Sequence, residues 1–327
     1  MEQMDAWTQT RYGGADEVRL SRIDVPRPRP GEVLLRIRAT GLNAADRHLM
    51  TGEPLLLRAA FGWSRPRQPV RGIDVAGSVL ALGPDVRDAS VGDEVVGELA
   101  FGGGLAEYAV VSAERLVPRP AAVDPAVAAA LPIAGGTAWQ ALDRAGVGSG
   151  HRVLVVGASG GVGTFAVQLA ALRGAEVHAV CSERNRALVG SIGAQTTYDR
   201  SATPLADLPA GTFDTVIDLA GDSPLRTVQR LVRDGGSAVL VAGEGGPVAG
   251  PIPRIARASL LSLRSRRPLH PLSAKARPDI LRELLALVAD GRLAPVIERT
   301  WPFREAGEAL AHLAAGHTVG KAVVSLE

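Results

Sequence analysis

Cysteine is almost absent from this chain of 327 residues, and lysine is nearly as rare. The single cysteine, Cys181, excludes an internal disulfide and any metal cluster built on several cysteines, and it suits a reducing compartment. The two lysines are Lys275 and Lys321, so arginine carries almost all of the positive charge. A net charge of only +2 gives no argument for a nucleic-acid partner.

Long hydrophobic runs are also missing. No uninterrupted apolar segment reaches the roughly 20 residues that a transmembrane helix needs, and the first residues lack the apolar centre of a signal peptide. We therefore expect a cytoplasmic protein without a transmembrane segment. The apolar content of 46% is ample for two hydrophobic cores, and a chain of this length suggests about two domains.

The most informative segment that is present reads VLVVGASGGVGTFAVQLA, from Val153 to Ala170. A strand pattern ends in a glycine cluster, and an alanine-rich helix pattern follows. Such small residues let a dinucleotide pyrophosphate approach the backbone at a helix N-terminus. A surface turn is the alternative for a lone glycine triplet, but the strand before and the helix after it predict dinucleotide binding. The expected contacts come from the loop residues Ala158, Ser159, Gly160, Gly161, Val162 and Gly163.

The remaining patterns divide the chain into two kinds of structure. The first third reads as strands, including Glu32 to Ala39 and Ile73 to Ala81, separated by glycine and aspartate turns. Helical periodicity runs from Asp124 to Arg144. From Val153 onward strands and helices alternate, which predicts a parallel sheet with helices on both faces.

Several motifs together resemble the medium-chain dehydrogenase/reductase superfamily over essentially the whole chain. They are GLNAAD at 41–46, RGIDVAGSVLALGPDV at 71–86, VGDEVVG at 91–97, AEYAV at 106–110, GTAWQAL at 136–142 and the glycine loop. The resemblance implies an α/β protein with a GroES-like β-barrel catalytic domain, a Rossmann domain with a doubly wound parallel sheet, and an active site in the cleft. We expect the catalytic domain at 1–122 and 279–327 and the Rossmann domain at 123–278. Relatives commonly pair, so a homodimer is expected.

The positions of the catalytic zinc ligands carry the strongest functional signal. In the zinc alcohol dehydrogenases the ligands are a cysteine, a histidine and a second cysteine; the matching residues here are Asn43, Ile73 and Ile133. Isoleucine cannot bind zinc, and an amide is a poor zinc ligand. Without a Lewis acid, oxidation of a simple alcohol is difficult. The chain therefore resembles the zinc-independent quinone oxidoreductase branch, and no metal is expected.

The choice of cofactor depends on the end of the second Rossmann strand. An NAD-specific site usually has a carboxylate there, but this strand ends at Ser182, followed by Arg184 and Arg186. Arg200 replaces a tyrosine common among relatives. A hydroxyl and several guanidinium groups suit the 2′-phosphate of NADPH. The alternative is that Ser182 caps a helix and the arginines are solvated; Glu183 is the residue that argues against NADPH.

Further cofactor contacts follow from the match to the family. The expected residues are Asn43, Thr137, Asp218, Ala220, Gly221, Ala242, Gly243 and Lys321.

Two side chains are candidates for catalysis. His48 replaces the tyrosine that quinone oxidoreductases usually carry, and a histidine near neutrality suits protonation of the reduced acceptor. His48 could equally only shape the pocket, with solvent as the acid. Asn43 is expected to contact nicotinamide or substrate. Asp46 and Asp74 are expected to hold the cleft together by hydrogen bonds.

Two other segments leave alternatives open. Phe61 and Trp63 could line the entrance for an apolar or aromatic acceptor, or belong to a small core. The segment from Arg254 to Arg277 is rich in basic residues and has no acid. A solvated or subunit-facing surface is its simplest explanation; a substrate entrance or a membrane-surface patch is the alternative.

Together these observations predict an NADPH:quinone oxidoreductase-like enzyme that transfers hydride to a small electron-poor acceptor. The first alternative is an ene or enoyl reductase acting on an activated C=C bond. The second is a nucleotide-binding sensor without turnover.

Overall fold

The computed structural model describes residues 2–241, 246–316 and 318–326. Its strands are β1 (Gln3–Gln9), β2 (Val18–Asp24), β3 (Glu32–Leu42), β4 (Asp74–Leu82), β5 (Glu94–Glu98), β6 (Tyr108–Ser112), β7 (Leu116–Pro118), β8 (Arg152–Val156), β9 (Glu176–Cys181), β10 (Thr196–Asp199), β11 (Phe213–Asp218), β12 (Val232–Leu240), β13 (Leu269–Pro271), β14 (Ile297–Pro302) and β15 (Lys321–Ser325).

Its helices are α1 (Ala44–Thr51), α2 (Arg58–Phe61), α3 (Pro125–Ala129), α4 (Pro132–Arg144), α5 (Gly161–Leu172), α6 (Arg186–Ser191), α7 (Leu225–Leu231), α8 (Ile252–Ser262), α9 (Pro278–Ala289) and α10 (Ala306–Ala314). Within the described ranges, no helix is both long and apolar enough to cross a membrane.

The chain forms two compact units. The first comprises Met1–Gly136 and Ala276–Glu327, and the second comprises Thr137–Lys275. The boundary expected at 122/123 differs from this division, which places residues 123–136 in the first unit. The expected return near 279 lies close to the observed one.

The first unit contains a seven-stranded sheet in the order β14-β15-β3-β4-β5-β7, with β6 paired to β3. Most of its pairs are antiparallel, and β1 and β2 form a separate antiparallel pair. Side chains in β3 alternate, so that Val33, Leu35 and Ile37 are buried in the core. This alternation places one face of the strand on the core, as the period of two in a strand requires.

The second unit contains a parallel six-stranded sheet in the order β10-β9-β8-β11-β12-β13. This order confirms the predicted doubly wound sheet. Residues 153–156 of β8 are all buried, because helices cover both faces of such a sheet. The carboxyl ends of β8, β9 and β11 therefore lie at one edge, where nucleotides bind in this type of sheet.

The helix predicted from Asp124 to Arg144 is interrupted. The Asp124 carboxylate accepts a hydrogen bond from the Ala126 N–H at 2.8 Å and so caps α3. The helix ends at Ala129, and α4 starts anew at Pro132. Proline has no N–H and disfavours a helical residue before it, so the segment breaks there.

Candidate active site

The glycine loop of the second unit joins β8 to α5. Gly157 has φ +83°, a left-handed conformation that turns the chain sharply after the strand. A Cβ at Gly163 would lie 2.3 Å from the Gly157 carbonyl oxygen and 2.7 Å from that of Ala158. Glycine at 163 is therefore required by the packing of the loop against its own helix.

Gly160 differs from Gly163 because the chain itself leaves space around it. The nearest atom to a Cβ at Gly160 would be the Gly157 carbonyl oxygen, at 3.6 Å. Gly160 caps α5, whose first N–H groups have no partner within the helix. An open approach to a helix N-terminus fits a pyrophosphate, so the loop fits the dinucleotide.

The end of β9 carries the predicted phosphate-binding residues. Ser182 is partly exposed and takes the N-cap position of the turn that follows β9, but its hydroxyl makes no capping hydrogen bond. Arg184 and Arg200 are exposed. Arg186 donates to the Glu183 carboxylate at 2.9 Å, and this ion pair offsets the one acidic side chain that argues against NADPH.

A contact that the sequence analysis missed joins this strand end to the glycine loop. The Asn185 side-chain amide donates to the Ser159 hydroxyl at 3.0 Å, and Asn185 is buried. Both residues follow strand ends, β8 and β9, that are neighbours in the sheet. The bond therefore fixes the loop against the segment that would hold the adenosine ribose.

Asp218 ends β11 but has protein partners. Its carboxylate accepts from an Arg254 guanidinium N–H at 2.7 Å and from the Ser223 hydroxyl at 3.0 Å, and it is fully buried. Burial raises the pKa of Asp218, although the hydrogen bonds from Ser223 and Arg254 act to lower it. Each carboxylate oxygen thus has a protein donor, and the expected contact of Asp218 with the cofactor stays a prediction.

The other family-matched positions in the second unit are distributed differently. Ala220 is exposed and Gly221 is buried just after β11, while Thr137 is buried in α4. Ala242 and Gly243 lie outside the described residues.

In the first unit, a buried polar cluster surrounds Asn43. The Lys321 ammonium donates to the Asn43 amide oxygen at 2.5 Å and to the Leu42 carbonyl oxygen at 2.8 Å. The Asn43 amide nitrogen donates to Asp74 at 2.9 Å and to the Gly41 carbonyl oxygen at 3.3 Å. The cluster thus uses both ends of the Asn43 amide internally.

Two carboxyl groups complete this cluster. Asp46 accepts from the backbone N–H groups of Asn43 and Gly72, each at 2.9 Å. Asp74 also accepts from the Ile133 N–H at 3.2 Å and lies 3.7 Å from the Lys321 ammonium. Its second oxygen is buried without a hydrogen-bond partner among the described residues.

Burial dominates the electrostatics of the cluster. It raises the pKa of Asp46 to about 6 and that of Asp74 to about 8, although Lys321 acts to lower both. Burial also lowers the pKa of Lys321, against the attraction of these carboxylates. The cluster can therefore take up and release protons in a range that ordinary carboxylates do not reach.

The residues at the expected zinc positions do not fit zinc. The Asn43 oxygen accepts from an ammonium group, which has no lone pair to offer a metal. Ile73 and Ile133 present hydrocarbon. Within the described part of the chain, no group of three or more His, Cys, Asp and Glu side chains is arranged to hold a metal.

His48 lies on α1, and its Nδ1 is 2.8 Å from the Glu53 carbonyl oxygen. A carbonyl oxygen only accepts hydrogen bonds, so Nδ1 carries the proton. In the neutral ring Nε2 is then an acceptor, and it can donate a proton only from the imidazolium form.

A cavity of about 450 Å³ lies within the first unit. Phe61 and Phe101 form part of its wall, with ring centroids 5.8 Å apart in an edge-to-face arrangement. Leu49, from the same helix as His48, also lines it. Phe61 thus lines this cavity, whereas Trp63 is not part of its wall and is 73% exposed.

Comparisons with known proteins identify the family of this chain. The model of the alcohol dehydrogenase GroES-like domain matches residues 29–121, and that of the zinc-binding dehydrogenase matches residues 192–324. A solved quinone oxidoreductase from Coxiella burnetii superposes with a TM-score of 0.90 at 27% identity, with all of both chains covered.

Sequence relatives extend the match. A chloroplast envelope quinone oxidoreductase homolog from Arabidopsis thaliana is 35% identical over 323 residues, 95% of each chain. An NADPH-dependent alkenal/one oxidoreductase from the same plant is 31% identical, with 99% of this chain and 80% of the relative covered. A GroES-like unit with a Rossmann unit thus defines a nicotinamide-dependent oxidoreductase. The chain belongs to the medium-chain dehydrogenase/reductase superfamily, in its quinone-oxidoreductase-like branch.

Proposed function

We propose that this protein is a zinc-independent, NADPH-dependent oxidoreductase that reduces a quinone or a similar electron-poor acceptor. The main support for the proposal is the Lys321 ammonium, which donates a hydrogen bond to the Asn43 oxygen. Asn43 stands at the position of a zinc ligand in the zinc enzymes, and an ammonium group beside its oxygen disfavours a metal ion there. The relatives named quinone oxidoreductases support the same acceptor class.

In this proposal the second unit binds NADPH. The pyrophosphate binds in the space beside Gly160, where backbone N–H groups at the helix N-terminus donate to its oxygens. The 2′-phosphate is bound by Ser182 and by the exposed Arg184 and Arg200. When bound, NADPH supplies a hydride. Arg186 holds the Glu183 carboxylate in an ion pair and so reduces its repulsion of a phosphate.

The first unit binds the acceptor. Lys321 and Asp74 hold the Asn43 amide in one orientation, which leaves one lone pair on the Asn43 oxygen. Because no group in this cluster polarises an alcohol as zinc does, the acceptor has to be electron-poor by itself. His48 in its imidazolium form, or solvent, protonates the reduced product.

A second candidate is reduction of an activated C=C bond. Two relatives support it: the alkenal/one oxidoreductase, and a 2-methylene-furan-3-one reductase from Solanum lycopersicum that is 31% identical over 98% of this chain. Such acceptors are also electrophilic without a metal. Homodimer formation and a cytoplasmic location remain predictions.

The decisive experiment follows NADPH oxidation with matched panels of quinones and enones, with a chelator and with added Zn²⁺. Quinone turnover that is indifferent to both metal treatments is expected. Faster enone turnover would favour the second candidate, and tight NADPH binding with no turnover would favour a sensor. Turnover that requires Zn²⁺ would refute zinc independence.

A separate variant, His48→Phe, tests the proton donor. Unchanged quinone turnover in this variant would remove His48 from the mechanism.

The cofactor preference has its own test in the variant Arg184→Gln with Arg200→Gln. Loss of charge-assisted bonds to the 2′-phosphate should raise the Kd for NADPH about 10-fold or more and leave that for NADH nearly unchanged. Arg226→Gln, an exposed arginine of α7, is the matched control. Equal losses for NADH and NADPH would contradict the assignment.

A further inference from the structure

The cavity of the first unit has a buried charge in its wall. Arg71 lines the cavity, yet only 2% of the residue is exposed. One guanidinium nitrogen donates to the Gln68 carbonyl oxygen, while Nε is buried with no hydrogen-bond partner among the described residues. Arg71 therefore keeps one guanidinium N–H without a partner among the described residues, within a side chain that forms part of the cavity wall.

No carboxylate in the described part of the chain forms an ion pair with Arg71. Asp46 is the acid whose charge acts on it most, but the Asp46 oxygens accept from two backbone N–H groups instead. The one acid in the cavity wall, Glu32, accepts from the Arg29 N–H at 2.9 Å. Arg67 and Arg115 also line the cavity, so its wall has more positive than negative groups.

A buried guanidinium without a counter-charge is costly, because burial removes its hydration. Burial accordingly lowers the pKa of Arg71. A ligand with a negatively charged oxygen would supply the missing partner through charge-assisted hydrogen bonds. A cavity of this volume lies in the usual size range of small-molecule sites.

The other walls indicate the shape of the ligand. Phe61, Phe101 and Tyr12 line the same cavity, with Leu49 and Leu99. Aromatic side chains stack favourably on flat ring systems. The Tyr12 hydroxyl donates to the Gly62 carbonyl oxygen at 2.6 Å, which fixes this wall against the loop that carries Phe61.

We propose that this cavity binds the electron acceptor and that Arg71 selects acceptors that are planar, apolar and carry a carboxylate or similar anionic oxygen. This inference rests on the proposed function in identifying the ligand as the acceptor. Arg71 is a specificity-determining residue for binding and takes no part in hydride transfer.

Two non-reducible probes test the site in the full-length protein without NADPH. 2-Naphthoate and the neutral 2-naphthamide have nearly the same size and shape, and calorimetry measures their Kd values. Wild type should bind the naphthoate about 10- to 100-fold more tightly, the range expected for hydrogen bonds to a charged group. Equal affinities would overturn the proposal.

Variants assign the preference to Arg71. Arg71→Gln should abolish the preference for naphthoate over naphthamide. Arg71→Lys should keep part of this preference, because lysine has the positive charge but lacks the planar set of donors. Arg65→Gln, an exposed arginine of the same segment, is the control and should keep it. A role of Arg71 only in holding the fold predicts equal losses for both probes. If Arg71→Gln does not fold, Phe101→Ala at the exposed rim should weaken both probes without changing their ratio.

A competition experiment connects the cavity to the acceptor. 2-Naphthoate should inhibit NADPH oxidation competitively against an acceptor, and noncompetitive inhibition would overturn the assignment of this cavity to the acceptor. Failure of the proposed function is distinguishable, since it appears as no NADPH oxidation with any acceptor and leaves the probe affinities unchanged.

Discussion

The glycine loop of the second unit and the Asn43 cluster of the first unit use their polar groups in opposite ways. The loop is local, and its helix N-terminus and the space at Gly160 are left open. The cluster joins residues as far apart in sequence as Asn43 and Lys321, and nearly all of its donors and acceptors are engaged by one another. The loop thus has space beside its helix N-terminus, where we propose that the nucleotide binds, whereas the polar groups of the cluster stabilise one another.

This difference has an energetic consequence. Changes in the open part of the loop should reduce nucleotide affinity and leave the fold intact, because the missing contacts are to a ligand. Changes in the cluster should reduce stability, because each lost group leaves a buried partner without its hydrogen bond. Variants can therefore distinguish the two regions, because loop variants should alter nucleotide affinity and cluster variants should alter stability.

The largest effect is expected for Lys321→Met. The change leaves the Asn43 oxygen, the Leu42 carbonyl and Asp74 without a buried cationic partner. Removing one member of a buried charged pair typically costs about 3 to 5 kcal/mol of unfolding free energy. Urea unfolding measures the loss.

The control for this variant is Arg266→Met, which breaks an exposed ion pair with Asp234 at 3.8 Å. Exposed pairs contribute little, so this variant should unfold like wild type. If Lys321→Met is as stable as its control, the cluster does not stabilise the first unit.

The loop could be predicted from sequence because its determinants are contiguous. Small residues at 158, 160 and 163, between a strand and a helix, carry a steric requirement that can be read without a structure. The parallel strand order follows from the alternation of strands and helices. The helix predicted from Asp124 to Arg144 breaks before Pro132, because proline has no N–H to continue the helical hydrogen bonds.

The side-chain pairings could not be predicted in the same way. Arg254 stood in a basic segment whose simplest explanation was a solvated surface, yet it is only partly exposed and forms an ion pair with the buried Asp218. Lys321 was expected at the cofactor, but its hydrogen bond to the Asn43 oxygen was not predicted. Such contacts depend on which strand and helix ends meet, and single residues carry no periodic signal for that.

An intermediate effect is expected for two glycines of the loop, Gly163 and Gly160, which differ in how closely other backbone atoms approach them. Gly163→Ala places a Cβ against backbone atoms 2.3 Å away and should cost about 1 to 3 kcal/mol of stability, as overpacking does. Gly160→Ala meets only ordinary contacts, so the melting temperature should stay unchanged while the Kd for NADPH rises about 10-fold. Thermal unfolding and nucleotide titration measure both. A lower melting temperature for Gly160→Ala would show that its open space is needed by the fold.

An effect similar in size to those of the glycines is expected for the pH dependence of the cluster, which is tested with Asp46→Asn. Burial raises the folded pKa of Asp46 to about 6, above its ordinary value, so the folded state binds an extra proton between these values. The contribution of this group to stability is therefore complete below its unfolded pKa and is lost as the pH rises through about 6.

Asparagine at position 46 does not titrate, and its amide can accept only part of the two backbone hydrogen bonds, so the variant should be less stable throughout. The advantage of wild type over Asp46→Asn should shrink by about 2 kcal/mol from about pH 4.5 to about pH 6.5. Asp74 titrates in both proteins, and its contribution largely cancels in the difference. Urea unfolding at both pH values, with exposed Asp222→Asn as control, measures this shrinkage. An advantage that stays constant or grows with pH would mean that the two N–H bonds, rather than burial, govern the charge on Asp46.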